Sequence, residues 1–137
     1  MTRLLSALLL SLSLLATPAA LRAGTGAEIR AVIEAQIDAF RRDDWDAAFA
    51  FASPSIRSMF RTADRFGGMV RSGYPMVWRP VRVEAGPLEA GPNGPVQLMY
   101  LEDHKGILHV AAYEMKLVDG TWRINGVRIR RAPALST

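Results

Sequence analysis

Apolar and polar positions change period halfway along the chain. Ile29, Val32, Ile33, Ile37 and Phe40 recur at three- and four-residue spacings, which makes one apolar helix face. Thr25 and Glu28 have the spacing of a capping box, so this helix is predicted to start there. Arg41 and Arg42 fall in its last turn, where positive charge suits the helix dipole. Asp43 and Asp44 are placed to stop it and to start a short second helix lined by Trp45, Ala48, Phe49 and Ala52. Ser53-Pro54 restarts the chain with a cap and a first-turn proline, and Ile56, Met59 and Phe60 follow as the buried side. Thr62 caps a further helix whose inner face is Phe66, Met69 and Val70, ended by Gly73, Tyr74 and Pro75. Pro75 and Pro80 then predict an extended linker into the second half.

From there the period is two. Val81 and Val83 alternate with Arg82 and Glu84, and Gly91-Pro92-Asn93-Gly94 turns the chain into a strand from Val96 to Glu102. Asp103-His104-Lys105-Gly106 turns it again, and a long strand runs from Ile107 to Val118. Asp119-Gly120 is a strong hairpin signal before a last strand that begins near Trp122. On that strand the apolar side goes Trp122, Ile124, then Val127, Ile129, so the parity slips at Asn125-Gly126 and predicts a bulge. Helices first and an antiparallel meander afterwards define an α+β fold, with N-terminal helices packed on one face of a curved antiparallel sheet.

The segment ahead of this domain has a different pattern. Arg3 precedes an apolar run from Leu4 to Leu15, followed by small residues at Thr17, Ala19, Ala20 and Ala23. That is the build of a secretory signal peptide. A membrane span needs roughly 20 apolar residues, and Thr17-Pro18 interrupts this run well before that. Residues 1–23 are therefore expected to be a leader cleaved near 19–23, with 24–137 as a single domain and no stable membrane anchor afterwards. The chain has no cysteine, which excludes a lipoprotein anchor, disulfides and thiol chemistry. A periplasmic or secreted location is expected.

Charge changes the picture little. Losing Arg3 and Arg22 with the leader leaves 15 basic against 13 acidic residues, a net charge of +2. That balance suits solubility and does not suggest a nucleic-acid partner.

Several words along the chain carry a resemblance. Ile33 to Phe40, Asp43-Asp44, Ala47 to Pro54, Phe66, Met69-Val70, Gly73-Tyr74, Tyr113-Glu114-Met115, Asp119-Gly120 and Trp122-Arg123-Ile124 together resemble an uncharacterised bacterial family, the domain of unknown function DUF4864. That family is similar to the nuclear transport factor two-like superfamily with its cystatin-like, cone-shaped fold. The resemblance implies a cone in which helices close over a curved sheet. It implies no catalytic residue.

Candidate chemistry is sparse. Alternation puts His109 on one strand face with Ile107, Ala111, Tyr113, Met115 and Leu117. His109 could serve there as acid or base and Tyr113 as a polarising phenol, or both could be core residues. An acid–base site would need a carboxylate, which Glu114 cannot supply from the opposite face, leaving Asp38, Asp43 or Asp46 on the helices. Asp43, Asp44 and Asp46 cluster around Trp45, but as helix caps, and with two histidines in the chain no metal site is expected. Tyr74, Trp78, Tyr100, His109, Tyr113 and Trp122 are the residues placed to line a pocket, with Tyr74 and Trp78 at its mouth. Arg123, Arg128 and Arg130 fall together on the outer face if the bulge forms, either as a binding patch or as a solvated strand edge.

Two functions follow. The first is a non-catalytic module that binds a small apolar ligand or a protein partner, with a homodimer formed through the open sheet face and no cofactor. The alternative is a small pocket enzyme (an isomerase, dehydratase or hydrolase) with His109 as acid or base.

Overall fold

A computed structural model describes residues 18–133, with side chains from Gly24 onward. Helix α1 spans Pro18–Arg41, α2 Trp45–Ala50, α3 Pro54–Phe60, α4 Ala63–Gly73 and α5 Pro75–Trp78. The strands are β1 Arg82–Gly91, β2 Gly94–Glu102, β3 Leu108–Val118 and β4 Thr121–Arg131. They form one antiparallel sheet in the order β1-β2-β3-β4. This is the expected α+β architecture. Residues 1–17 of the expected leader lie outside the described residues.

Local chemistry explains most of the helix boundaries. Asp43 takes a left-handed φ of 54° and breaks the chain between α1 and α2. The side chain of Asp44 then accepts from the Ala47 N–H at 3.1 Å. Ser53 caps α3 by accepting from Ile56 N–H, and Thr62 caps α4 by accepting from Arg65 N–H at 3.2 Å. Each cap satisfies a first-turn donor that the helix leaves unpaired.

Two expectations need correction. Thr25 does not begin a helix: α1 runs through Thr25 and Glu28 from Pro18. Capping-box spacing is also an ordinary one-turn spacing inside a helix, and a proline suits a first turn. Nor is the segment between Pro75 and Pro80 extended, because α5 occupies most of it. Pro75 sits in the first turn of α5, and the Tyr74 carbonyl accepts from Val77 and Trp78 N–H at 2.9 and 3.0 Å.

The sheet has two unlike faces. Met99 and Leu101 on β2, with Ala111, Tyr113 and Met115 on β3, point inward and are buried against Ile29, Ile33, Ile37 and Phe40 of α1. Fully burying a side chain of this size contributes roughly 1.5–3 kcal/mol, so this layer dominates the fold. Both bulges bend the sheet. The β3–β4 register shifts between Glu114 and Met115, leaving Asn125 as the extra residue on β4, where the parity slip predicts it. A second irregularity lies at Gly86-Pro87 on β1, where Ala85 and Leu88 stand opposite Met99 and Gln97.

Candidate functional site: an apolar cavity under the helices

The bulge on β4 does more than bend a strand. The Ser53 N–H donates to the Ile124 carbonyl and the Ile124 N–H to the Phe51 carbonyl, each at 2.8 Å, so the α2–α3 junction is stitched to β4. Ser53 Oγ donates to Asn125 Oδ1 at 2.7 Å, and Asn125 Nδ2 donates to Glu114 Oε1 at 2.9 Å. This pins the start of α3 to the sheet. Yet no residue of α3 is buried. Its apolar side, Ile56, Met59 and Phe60, stands over a gap and does not sink into the core.

That gap is a cavity of about 300 Å³, within the size range of small-molecule sites. Gln36 and Phe40 of α1 and Ile124 and Val127 of β4 line one side. The face of α3 and Phe66, Met69 and Val70 of α4 line the other. Phe66 is the hub of this wall, with ring centroids 5.7 Å from Phe40, 5.3 Å from Phe49 and 5.4 Å from Phe60. Met59, 69 % exposed, and Tyr74, 39 % exposed, belong to the lining but face water as well, which puts the mouth between α3 and the α4–α5 junction. No lining residue carries a charge. Gln36 is the polar exception inside. It is 2 % exposed, and its Nε2 donates to the Ala48 carbonyl at 3.1 Å.

The structure disperses the six residues that the sequence places at a pocket. Tyr74 alone of them lines the cavity. Trp78 is half-buried at the edge of the core, where its Nε1 donates to Asp43 Oδ1 at 2.8 Å and its ring lies 5.1 and 4.3 Å from the guanidinium carbons of Arg71 and Arg79. Tyr100 pairs with Glu84 and Val110 on the outer face, its ring against Gly86, where a Cβ would collide with it. Trp122 is half-buried at the β3–β4 hairpin. Tyr113 is fully buried in the core, its Oη without a hydrogen-bond partner among the described residues, and burial pushes its phenol pKa well up.

His109 is buried and lies outside the cavity wall. It does have a carboxylate, though from none of the expected helices. Its Nε2 lies 2.8 Å from Asp103 Oδ2 at the start of the β2–β3 turn. Asp103 Oδ1 accepts from both Lys105 and Ile107 N–H at 2.9 Å, which fixes the carboxylate. The His109 hydrogen bond, then the Ile107 N–H, holds the Asp103 pKa down at about 2. The pair has the parts of an acid–base dyad but ties off the turn instead of facing the cavity. Arg123, Arg128 and Arg130 stand opposite Lys116, Ala112 and Val110, which share the outer face of β3. Among the described residues no three His, Asp or Glu side chains gather as a metal site, and no helix is long and apolar enough to cross a membrane.

The fold and site define a class: a small α+β protein whose helices enclose an uncharged cavity against a bulged sheet. Residues 22–137 match the family model described as a domain of unknown function, DUF4864, and the chain belongs to that family. No curated protein and no solved structure gives a significant match.

Proposed function

We propose that this protein is a non-catalytic binding module that takes a small apolar ligand into the cavity between α3, α4 and β4, and that it does so outside the cytoplasm after loss of its leader. The observation that carries this reading is an apolar cavity of about 300 Å³ with no charged lining residue. Apolar surface left unfilled in a well-packed protein forfeits dispersion contacts that a ligand restores. The residues suited to proton transfer, His109 and Asp103, bond to each other away from that space. This favours binding over the enzyme reading. Native mass spectrometry of the protein released from the periplasm tests both parts. A truncated N-terminus and a bound small molecule are expected; a full-length mass, or a mature protein that never carries or takes up apolar compounds, would overturn the corresponding part.

A second copy of the chain is the partner we propose for the outer face of the sheet. Val96, Leu98 and Tyr100 of β2 and Val110 and Ala112 of β3 form an apolar band there. The band is flanked by Glu84 and Glu89 on β1 and by Arg128 and Arg130 on β4. A two-fold axis along the strands lays the acidic edge of one copy over the basic edge of the other, so the face is complementary to itself.

A further inference from the structure

The cavity wall also specifies what kind of apolar molecule fits. We infer that the ligand is neutral and presents one hydrogen-bond donor, as an alcohol or phenol does, to Gln36 Oε1. The inference rests on the cavity reading above and deepens it.

Gln36 occupies a core position of α1, between Ile33 and Phe40, yet carries an amide. The Ala48 carbonyl can only accept, so the atom 3.1 Å from it is the nitrogen, and the orientation of the amide is fixed by that bond. Ala48 does not depend on it, because the same carbonyl accepts the Phe51 N–H. The other branch, Oε1, accepts no hydrogen bond among the described residues. An amide oxygen on a cavity wall is left with two unused lone pairs when a ligand displaces water from it, and that is expensive unless something supplies a donor. Gln36 lines the cavity, and that something can come from the cavity.

The remaining lining sharpens the choice. Besides Gln36, Tyr74 is the one lining side chain with an oxygen or nitrogen atom, and at the mouth it is exposed to solvent. No lysine, arginine or histidine is present to neutralise an acid. A carboxylate would thus leave water for an uncharged wall and would face the lone pairs of Oε1. A hydroxyl meets the same oxygen with its hydrogen. The site is accordingly built against fatty and aromatic acids and for the corresponding alcohols.

Titration of ¹⁵N-labelled mature protein with naphthalene, 2-naphthol, 2-methoxynaphthalene and 2-naphthoate, read by NMR shifts at cavity residues, separates these alternatives. One hydrogen bond predicts 2-naphthol binding about fivefold to tenfold tighter than naphthalene or the methyl ether, which cannot donate. The acid is expected to bind at least about tenfold more weakly than the alcohol. In Gln36→Met, which keeps the chain length, the advantage of the alcohol disappears while naphthalene still binds. Equal affinity for naphthalene, its ether and its alcohol in the wild type overturns the donor inference and leaves the cavity reading intact. Preference for 2-naphthoate overturns it too. Absence of any cavity shift with all four probes overturns the cavity reading and the inference with it. The comparison of probes on the wild-type protein stands whether or not the variant folds.

Discussion

Asp103 Oδ2 lies 2.8 Å from His109 Nε2 across six residues of the β2–β3 turn, and both side chains are largely withdrawn from water. The carboxylate thereby serves the turn and the sheet together: one oxygen holds two backbone N–H groups, the other holds the imidazole.

The pH dependence of stability follows from this bond. An unfolded aspartate titrates near 3.9, whereas Asp103 is held at about 2 when folded. A depressed carboxylate contributes stability that is fully present above its unfolded pKa and is lost as pH falls through its folded value. Urea unfolding of the wild type should therefore lose stability relative to Asp103→Asn between about pH 4 and pH 2. Above pH 5, where Asp103 is ionised in both folded and unfolded states, the variant should be the less stable protein. Parallel curves across the whole range would show that the bond does not hold the Asp103 pKa down.

Packing between α2 and α4 gives a second test. The α-carbon of Gly67 approaches the Trp45 indole so closely that a methyl group at this position would overlap the ring. Gly67→Ala is expected to destabilise by about 1–3 kcal/mol, the range for overpacking a core. Its neighbour Gly68 is exposed in the same helix with open space around it. Gly68→Ala should stabilise by about 0.5–1 kcal/mol through helix propensity. Denaturant titration of the two variants side by side is the measurement, and equal effects would refute the packing account.

What could be read in the chain divides along local and non-local lines. Caps, turns and alternation act within a few residues, so Asp44, Ser53 and Thr62 and all four strands are legible, as is the bulge at Asn125 from a parity slip. The Asp103–His109 bond was not, because its geometry depends on how the turn aims Oδ2, and the helices were the obvious source of a carboxylate. The cavity is still less legible. It arises because α3 is pinned at Ser53 yet stands clear of the sheet, a tertiary relationship with no periodic signature. One signal did exist: Gln36 interrupts the apolar stripe that runs from Ile29 to Phe40, and a polar residue on a buried face asks for a partner.

Filling the cavity should separate binding from folding. Val127 lines it from β4 and is only half-buried. Val127→Phe is expected to abolish uptake of apolar probes while changing stability by less than about 1.5 kcal/mol, since the added ring occupies empty space. His109→Gln, outside the wall, should leave uptake unchanged. The binding isotherms and thermal midpoints of both variants check this, and loss of uptake in His109→Gln with the fold intact would return the histidine to the site.

The outer face provides the last prediction. Leu98 and Ala112 face each other across β2 and β3 in the middle of the apolar band, and Arg128 stands opposite Ala112 on β4. If two copies meet here with strands aligned along the two-fold axis, Leu98→Asp buries a carboxylate at the centre of the interface. Sedimentation equilibrium should then show the dimer weakened at least about tenfold, a change of about 1.4 kcal/mol. The charges test the orientation of the copies. Arg128→Glu opposes the acidic edge formed by Glu84 and Glu89 and should weaken the dimer, more so at low salt. Adding Glu84→Arg to that variant restores opposite signs and should recover part of the loss. A wild-type chain that remains monomeric at every concentration would remove the interface, and a dimer indifferent to Leu98→Asp would place it on another surface.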